Sequence, residues 1–100
     1  MNHRQRKELR EKHKRFYNGN YWEELRNRVF INNNYLCAEC LKQGKVKECK
    51  IGHHIKPLRT HWHLRLDYDN IQPVCHDCHE QLEKRVSQMQ KFLKDWEGVK

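Results

Sequence analysis

Apolar residues are scarce over the first fifteen positions and then fall into register. Trp22, Leu25, Val29 and Phe30 recur at intervals of three and four, the spacing that puts side chains on one face of a helix. Asn18-Gly19-Asn20 breaks the chain ahead of this stripe, and Asn32-Asn33-Asn34 ends it. Asn20, with Glu23 three residues on, offers an asparagine variant of the capping box. The stripe predicts a helix whose aromatic face is core rather than a platform for stacking bases. A second stripe, Leu82, Val86, Met89, Leu93 and Trp96, steps by four, three, four and three. It predicts a long C-terminal helix from His79 to about Trp96 with an apolar face two heptads long. Packing against the Trp22 helix would cover that face, and dimerisation is the alternative.

Between the stripes the periods are short. Tyr35 to Lys50 carries a Gly44 turn and strand-like pieces around Val46, and Ile51 to Pro57 predicts a strand that the proline stops. Arg59 to Leu66 reads as a loop, Asp67-Tyr68-Asp69-Asn70 has turn chemistry, and Ile71 to Val74 leads onward. Residues 1–17 are almost wholly polar and basic, with His3, Arg4, Arg6, Lys7, Arg10, Lys12, His13, Lys14 and Arg15. Little apolar burial is available there to offset the entropy of ordering, so a flexible basic arm or frayed helix is expected ahead of one domain over 18–100. Contact with a phosphate backbone is the functional reading of such an arm.

Charge sharpens the picture. The 100 residues include 21 Lys and Arg against 13 Asp and Glu, a formal net charge of +8. A solvated surface explains the abundance of charge but not its imbalance, which points to a polyanionic partner, nucleic acid above all. A hydrophobic content of 36% is thin for a chain this small, so a metal staple is a plausible aid to folding. No apolar run approaches the ~18 residues of a membrane span, and no apolar h-region lies near the N-terminus. These features predict a cytoplasmic protein without membrane contact.

The cysteines carry the clearest chemistry. Cys37-Ala38-Glu39-Cys40 and Cys75-His76-Asp77-Cys78 are two Cys-x-x-Cys knuckles, and Cys49 is a fifth, bland thiol. Thiolates so spaced suit a closed tetrahedral zinc site, which is structural because no coordination position stays open. A zinc ribbon alone has no need of Gly52-His53-His54-Ile55-Lys56-Pro57, of Asn70, or of His79 directly after the second knuckle. Adjacent residues of a strand face opposite sides, so only one of His53 and His54 can aim at a given metal. The other is free to face a water as general base. His79 can supply a second nitrogen ligand, leaving the metal open for catalysis. Asn70 could brace the backbone around the histidine pair.

This order of motifs resembles the HNH endonucleases with the ββα-metal fold, in particular the small zinc-stapled kind found in phages and bacteria. The resemblance runs from about Phe16 to Arg85. It rests on Phe16-Tyr17, Trp22-x-x-Leu25-Arg26, both knuckles, His53-His54-Ile55-Lys56-Pro57, Leu66-Asp67-Tyr68-Asp69-Asn70-Ile71-Gln72, and the nine-residue step from Asn70 to His79. It implies an α+β fold: a small ββα-metal core with a structural zinc, flanked by an N-terminal helix and a long C-terminal helix. It further implies His54 as general base, His53 and His79 as ligands of a catalytic divalent ion, and Asn70 as the residue that holds the base loop. Cys37, Cys40, Cys75 and Cys78 would take the structural Zn²⁺. Mg²⁺, Mn²⁺, Ni²⁺ or Zn²⁺ could serve at the second site, since both its ligands are imidazoles.

The implied reaction is hydrolysis of double-stranded DNA by a single-metal mechanism, leaving 5′-phosphate and 3′-hydroxyl ends. Lys56, Arg59, Arg65, Lys84 and Arg85 are candidate phosphate contacts. Many relatives follow the final histidine with an asparagine and a Lys-Thr pair, where this chain has Glu80-Gln81-Leu82-Glu83-Lys84-Arg85. Glu83, one helical turn beyond His79, could join the metal or face solvent in a salt bridge. The resemblance suggests a phage DNA-packaging or terminase-associated nuclease in a bacterial host, monomeric or a weak dimer. The competing reading is a catalytically silent zinc-stapled nucleic-acid-binding module.

Overall fold

The computed structural model describes residues 2–85. Helix α1 spans His3–Tyr17, α2 spans Asn20–Asn32 and the short α3 spans Ala38–Lys42. Strands β1, Ile51–His54, and β2, Ile71–Val74, pair antiparallel with Ile51 opposite Val74 and His54 opposite Ile71. Residues 76–85 are helical and form α4. The order β1, β2, α4 is the ββα core expected from the sequence. The extent of the C-terminal helix and its stripe beyond Leu82 fall outside the described residues.

The apolar stripe of α2 is buried as its spacing predicts: Trp22, Leu25 and Val29 form a cluster with Ile71 of β2, and Phe16 packs against it. The helix meets the hairpin closely at Gly52. A Cβ there would stand 3.2 Å from Trp22 Cη2 and from Arg26 Cγ, so any side chain would press on these two side chains of α2. A second cluster, Cys37, Cys40, Val74 and Cys75, is joined by Ile51, Cys78 and Leu82. Strand β2 therefore has the α2 core at its Ile71 end and the cysteine cluster at its Val74 end.

Several local expectations are corrected. The N-cap of α2 is Gly19, not Asn20: Gly19 has extended backbone, and its carbonyl accepts the Glu23 N–H at 3.3 Å. Asn20 is already helical, so its side chain is not placed to cap. Strand β1 stops at His54 rather than running to Pro57. One more bond, Ile55 N–H to the Asn70 carbonyl at 2.9 Å, extends the pairing before the chain turns away.

Helix α4 starts at residue 76 instead of His79, because the second knuckle itself forms its first turn. There the Cys75 carbonyl accepts the His79 N–H at 3.0 Å. Residues 1–17, expected as a flexible arm or frayed helix, contain the 15-residue α1, with a capping box between Asn2 and Gln5 at its start. Its own burial is slight, as its composition implies, but Phe16 and Tyr17 at its end have aromatic partners elsewhere in the fold.

Candidate metal centre

Two clusters of metal-ligating side chains occur among the described residues, and they flank β1 and β2. The first joins Cys37 and Cys40, around the short α3, to Cys75 and Cys78 at the start of α4. All five cysteines are free thiols. Cys40 Sγ lies 3.9 Å from Cys75 Sγ and 3.6 Å from Cys78 Sγ. A tetrahedron with Zn–S bonds of about 2.3 Å has edges of about 3.8 Å, so the four sulfurs fit a zinc ion.

Burial is the first cause that raises the Cys40 thiol. Burial opposes thiolate formation at Cys75, yet hydrogen bonds from Cys78, Cys37 and Cys40 bring it down to about 7. Burial, with the same crowding of sulfurs, pushes Cys78 up. Four adjoining sulfurs become thiolates together only around a cation. Cys49 is buried apart from them, its thiol raised by burial.

The second cluster is His53, His79 and Glu83. Glu83 Oε1 lies 3.6 Å from His53 Nδ1 and 3.4 Å from His79 Nε2, and the two imidazole centroids are 5.3 Å apart. Helix α4 supplies two of the three, since positions four apart share a face. Burial, then the neighbouring His79, holds His53 below the ordinary histidine range. A neutral imidazole is the form that binds metal. Two nitrogens and one carboxylate leave coordination positions open, as a catalytic divalent ion requires.

His54, next in sequence, points the other way. Its Nε2 is 3.0 Å from the carbonyl oxygen of Arg65. A carbonyl can only accept, so Nε2 carries the proton and Nδ1 keeps its lone pair. Burial lowers the pKa of His54, against the opposing pull of the Arg65 carbonyl. The ring stacks on Trp22, with centroids 4.8 Å apart and planes 23° from parallel. Tyr17 Oη stands 3.3 Å from Nδ1. Burial, then Glu83, raises the pKa of Tyr17, so its hydroxyl keeps the proton it donates there.

Asn70 fixes the loop that follows β1. Its Oδ1 accepts the Lys56 N–H at 2.8 Å, while Nδ2 donates to the carbonyls of Lys56 and Leu64 at 3.2 and 3.3 Å. It is buried, where three such bonds are worth more than at the surface.

A cavity of about 610 Å³ opens over the histidine pair, lined among others by His13, Tyr17, Arg26, Arg59, His79 and Glu83. Of the expected phosphate contacts, Arg59 lines this cavity and Lys56 is exposed beside it. Arg65 is instead folded over Trp62, 4.8 Å from the ring centroid, and donates to the Trp62 carbonyl. Lys84 pairs with Glu80 at 3.4 Å, and Arg85 is exposed on α4.

Sequence reasoning misses Tyr17 and His13 as parts of the site. Their only signal is the Phe16-Tyr17 pair, at the end of a segment whose composition suggests an arm. Glu83 reads from sequence chiefly as a salt-bridge residue. Its step of four from His79 is the available signal.

Comparison with known proteins agrees with this geometry. The family model for HNH endonucleases matches residues 37–85. Among solved structures, the chain is similar to the HNH endonuclease of deep-sea thermophilic bacteriophage GVE2, determined with manganese ion. The two share 35% sequence identity with a TM-score of 0.74, over 92% of this chain and 99% of that one. No curated protein matches the chain.

Proposed function

The chain belongs to the HNH endonuclease family, and from that membership we propose that it hydrolyses phosphodiester bonds of double-stranded DNA by a single-metal mechanism with His54 as general base. One observation carries the reading. The adjacent His53 and His54 divide between the two sides of β1, one toward His79 and Glu83, the other toward the Arg65 carbonyl with a free lone pair on Nδ1.

His53, His79 and Glu83 would hold the divalent ion. When bound, it supplies Lewis-acid polarisation of the scissile phosphate and charge stabilisation of the departing 3′ oxygen. The protein supplies the rest. His54 takes the proton of the attacking water on Nδ1, and the Arg65 carbonyl fixes the ring and steadies the imidazolium that forms. Asn70 holds the 55–64 loop, and so the approach to the base, in place. The products are 5′-phosphate and 3′-hydroxyl ends. Cys37, Cys40, Cys75 and Cys78 would hold a zinc ion that ties the segment before β1 to the start of α4, the helix that carries His79.

The manganese of the GVE2 relative supports Mn²⁺ as a working ion here, with Mg²⁺, Ni²⁺ and Zn²⁺ as the alternatives. That relative's source likewise supports a phage-encoded enzyme acting in the bacterial cytoplasm. With so little of the chain left to read bases, targeting would come from a partner such as the phage terminase.

Nicking of supercoiled plasmid tests the reading. With Mn²⁺ or Mg²⁺ the wild type should nick, and His54→Ala should be slower by about 10²- to 10⁴-fold, the usual share of a general base. A wild type that shifts DNA yet fails to nick under every divalent ion tried would be a binding module instead.

A further inference from the structure

The charge of α1 is ordered rather than diffuse. Lys7, Arg10, Lys14 and Tyr17 step by three, four and three, and Arg6 sits four residues before Arg10, so these five side chains share one face of the helix. The two acids of α1 lie off this face: Glu8 pairs with Arg4 at 3.4 Å, and Glu11 borders the stripe on the side away from Tyr17. Arg6, Lys7, Arg10 and Lys14 are exposed, and none has a carboxylate partner among the described residues.

The last member of the stripe ends in the catalytic cavity, where Tyr17 Oη meets His54 Nδ1. The final turns of α1 are also clamped by Trp62. His13 stacks on that ring with planes 9° from parallel, Phe16 meets it edge-on at 5.6 Å, and Lys12 Nζ stands 4.2 Å from its centroid. The helix is therefore fixed at the site by one end, and its cationic face runs outward from there.

We propose that the Arg6–Lys7–Arg10–Lys14 face of α1 binds the sugar-phosphate backbone of duplex DNA to one side of the phosphate held at the site. The assignment of that phosphate rests on the nuclease reading; the binding itself does not. From Tyr17 to Arg6 the helix rises about 16 Å at ~1.5 Å per residue. That span matches about five phosphates of one strand at ~3.4 Å each along the duplex. The contact is to backbone, so it adds affinity and orientation without sequence preference. It makes the footprint lopsided, longer on the α1 side.

The test is duplex binding by fluorescence anisotropy, with mixed-sequence DNA, no added divalent ion and a series of salt concentrations. Lys7→Gln/Arg10→Gln/Lys14→Gln is compared with wild type and with Arg4→Gln/Arg15→Gln, which removes charge from the other side of α1. Glutamine keeps helix propensity, so α1 should persist. The slope of log affinity on log salt should shrink by about two to three for the triple variant, at ~0.9 for each phosphate no longer neutralised, and by under about one for the control. Equal slopes for wild type and triple variant would overturn the proposal. So would an equal reduction per charge in the control, which would mean a general field and no docked face. Cleavage plays no part in this readout. A protein that cuts nothing but shows the shallower slope in the triple variant keeps this proposal and ends the nuclease reading. An active nuclease with an unchanged slope does the reverse.

Discussion

The hydroxyl of Tyr17 and Nδ1 of His54 lie 3.3 Å apart, with the tyrosine on the lone pair that a general base must offer to water. The other nitrogen of His54 is committed to the Arg65 carbonyl at 3.0 Å, so the ring has no second acceptor to give. Water and Tyr17 compete for one site. A hydrogen bond of this kind is worth about 0.5–1.5 kcal/mol net. Tyr17→Phe, which removes the hydroxyl and keeps the ring against Trp22 and His54, should thus raise kcat by roughly two- to tenfold in plasmid nicking. A fall beyond that range would mean that the hydroxyl takes part in the chemistry.

That His53 and His54 point to opposite sides of β1 was legible in the sequence, because strand alternation sends neighbours to opposite faces. So was the four-cysteine cluster, because Cys-x-x-Cys spacing brings both sulfurs of a knuckle into one turn. Asn70 was legible in outline, as an amide able to brace the backbone around the histidine pair, but its particular bonds, to Lys56 and Leu64, could not be read from Asp67-Tyr68-Asp69-Asn70. Helix α1 was not legible in this way. Its residues bury little, and what orders it is the capping box at one end and aromatic contacts with Trp62 and Trp22, distant in sequence, at the other. Window-based periodicity does not register such contacts. For Arg65, expected as a phosphate contact, the loop sequence did not show that its guanidinium lies over the π face of Trp62.

Acid should loosen the protein. Burial is the largest cause of lowered pKa at His13, His53 and His54, with Lys12 adding to it at His13. Between each folded value and the unfolded value near ~6.5 the unfolded chain binds more protons, so stability rises with pH across that window. The contribution is complete above ~6.5 and is lost as pH falls through and below it. The thermal midpoint of protein without the catalytic ion should therefore drop between about pH 6.5 and 5. His13→Gln should lessen the drop, because His13 Nε2 is buried without a hydrogen-bond partner and resists charging. A midpoint that is level across that window would contradict the burial argument.

The two kinds of buried cysteine should separate cleanly. Cys40→Ser would remove one of the four sulfurs that fit a zinc ion, and apparent zinc binding in such sites reaches about 10–16 kcal/mol, as large as the whole stability of a small domain. Loss of the cooperative thermal transition and of bound zinc is expected. Cys49 is 3% exposed but stands outside the cluster. Cys49→Ala should keep one zinc per chain and cost about 1 kcal/mol, as ordinary core substitutions do. Elemental analysis and thermal unfolding of the two variants decide it; zinc missing from Cys49→Ala would redraw the cluster.

Glu83 joins His53 and His79 in a group that could hold a second metal. If the ion sat on His53 and His79 alone, Glu83 would be a salt-bridge residue, and its removal would cost little because exposed pairs contribute about 0–1 kcal/mol. Its carboxylate instead lies within 3.6 Å of both imidazoles, one of them depressed by burial and so poor at carrying a proton for an ion pair. The three ligand atoms lie within 4.8 Å of one another, close enough for one cation to bridge all three. Glu83→Gln keeps the shape and removes the charge. Mn²⁺ affinity, measured by calorimetry on zinc-loaded protein, should fall at least about tenfold, a conservative bound because even residues one shell out from a metal cost 10–100-fold. Zinc should stay at one per chain, since Glu83 lies outside the cysteine cluster. An unchanged Mn²⁺ affinity would remove Glu83 from the site and leave the two histidines to hold the ion alone.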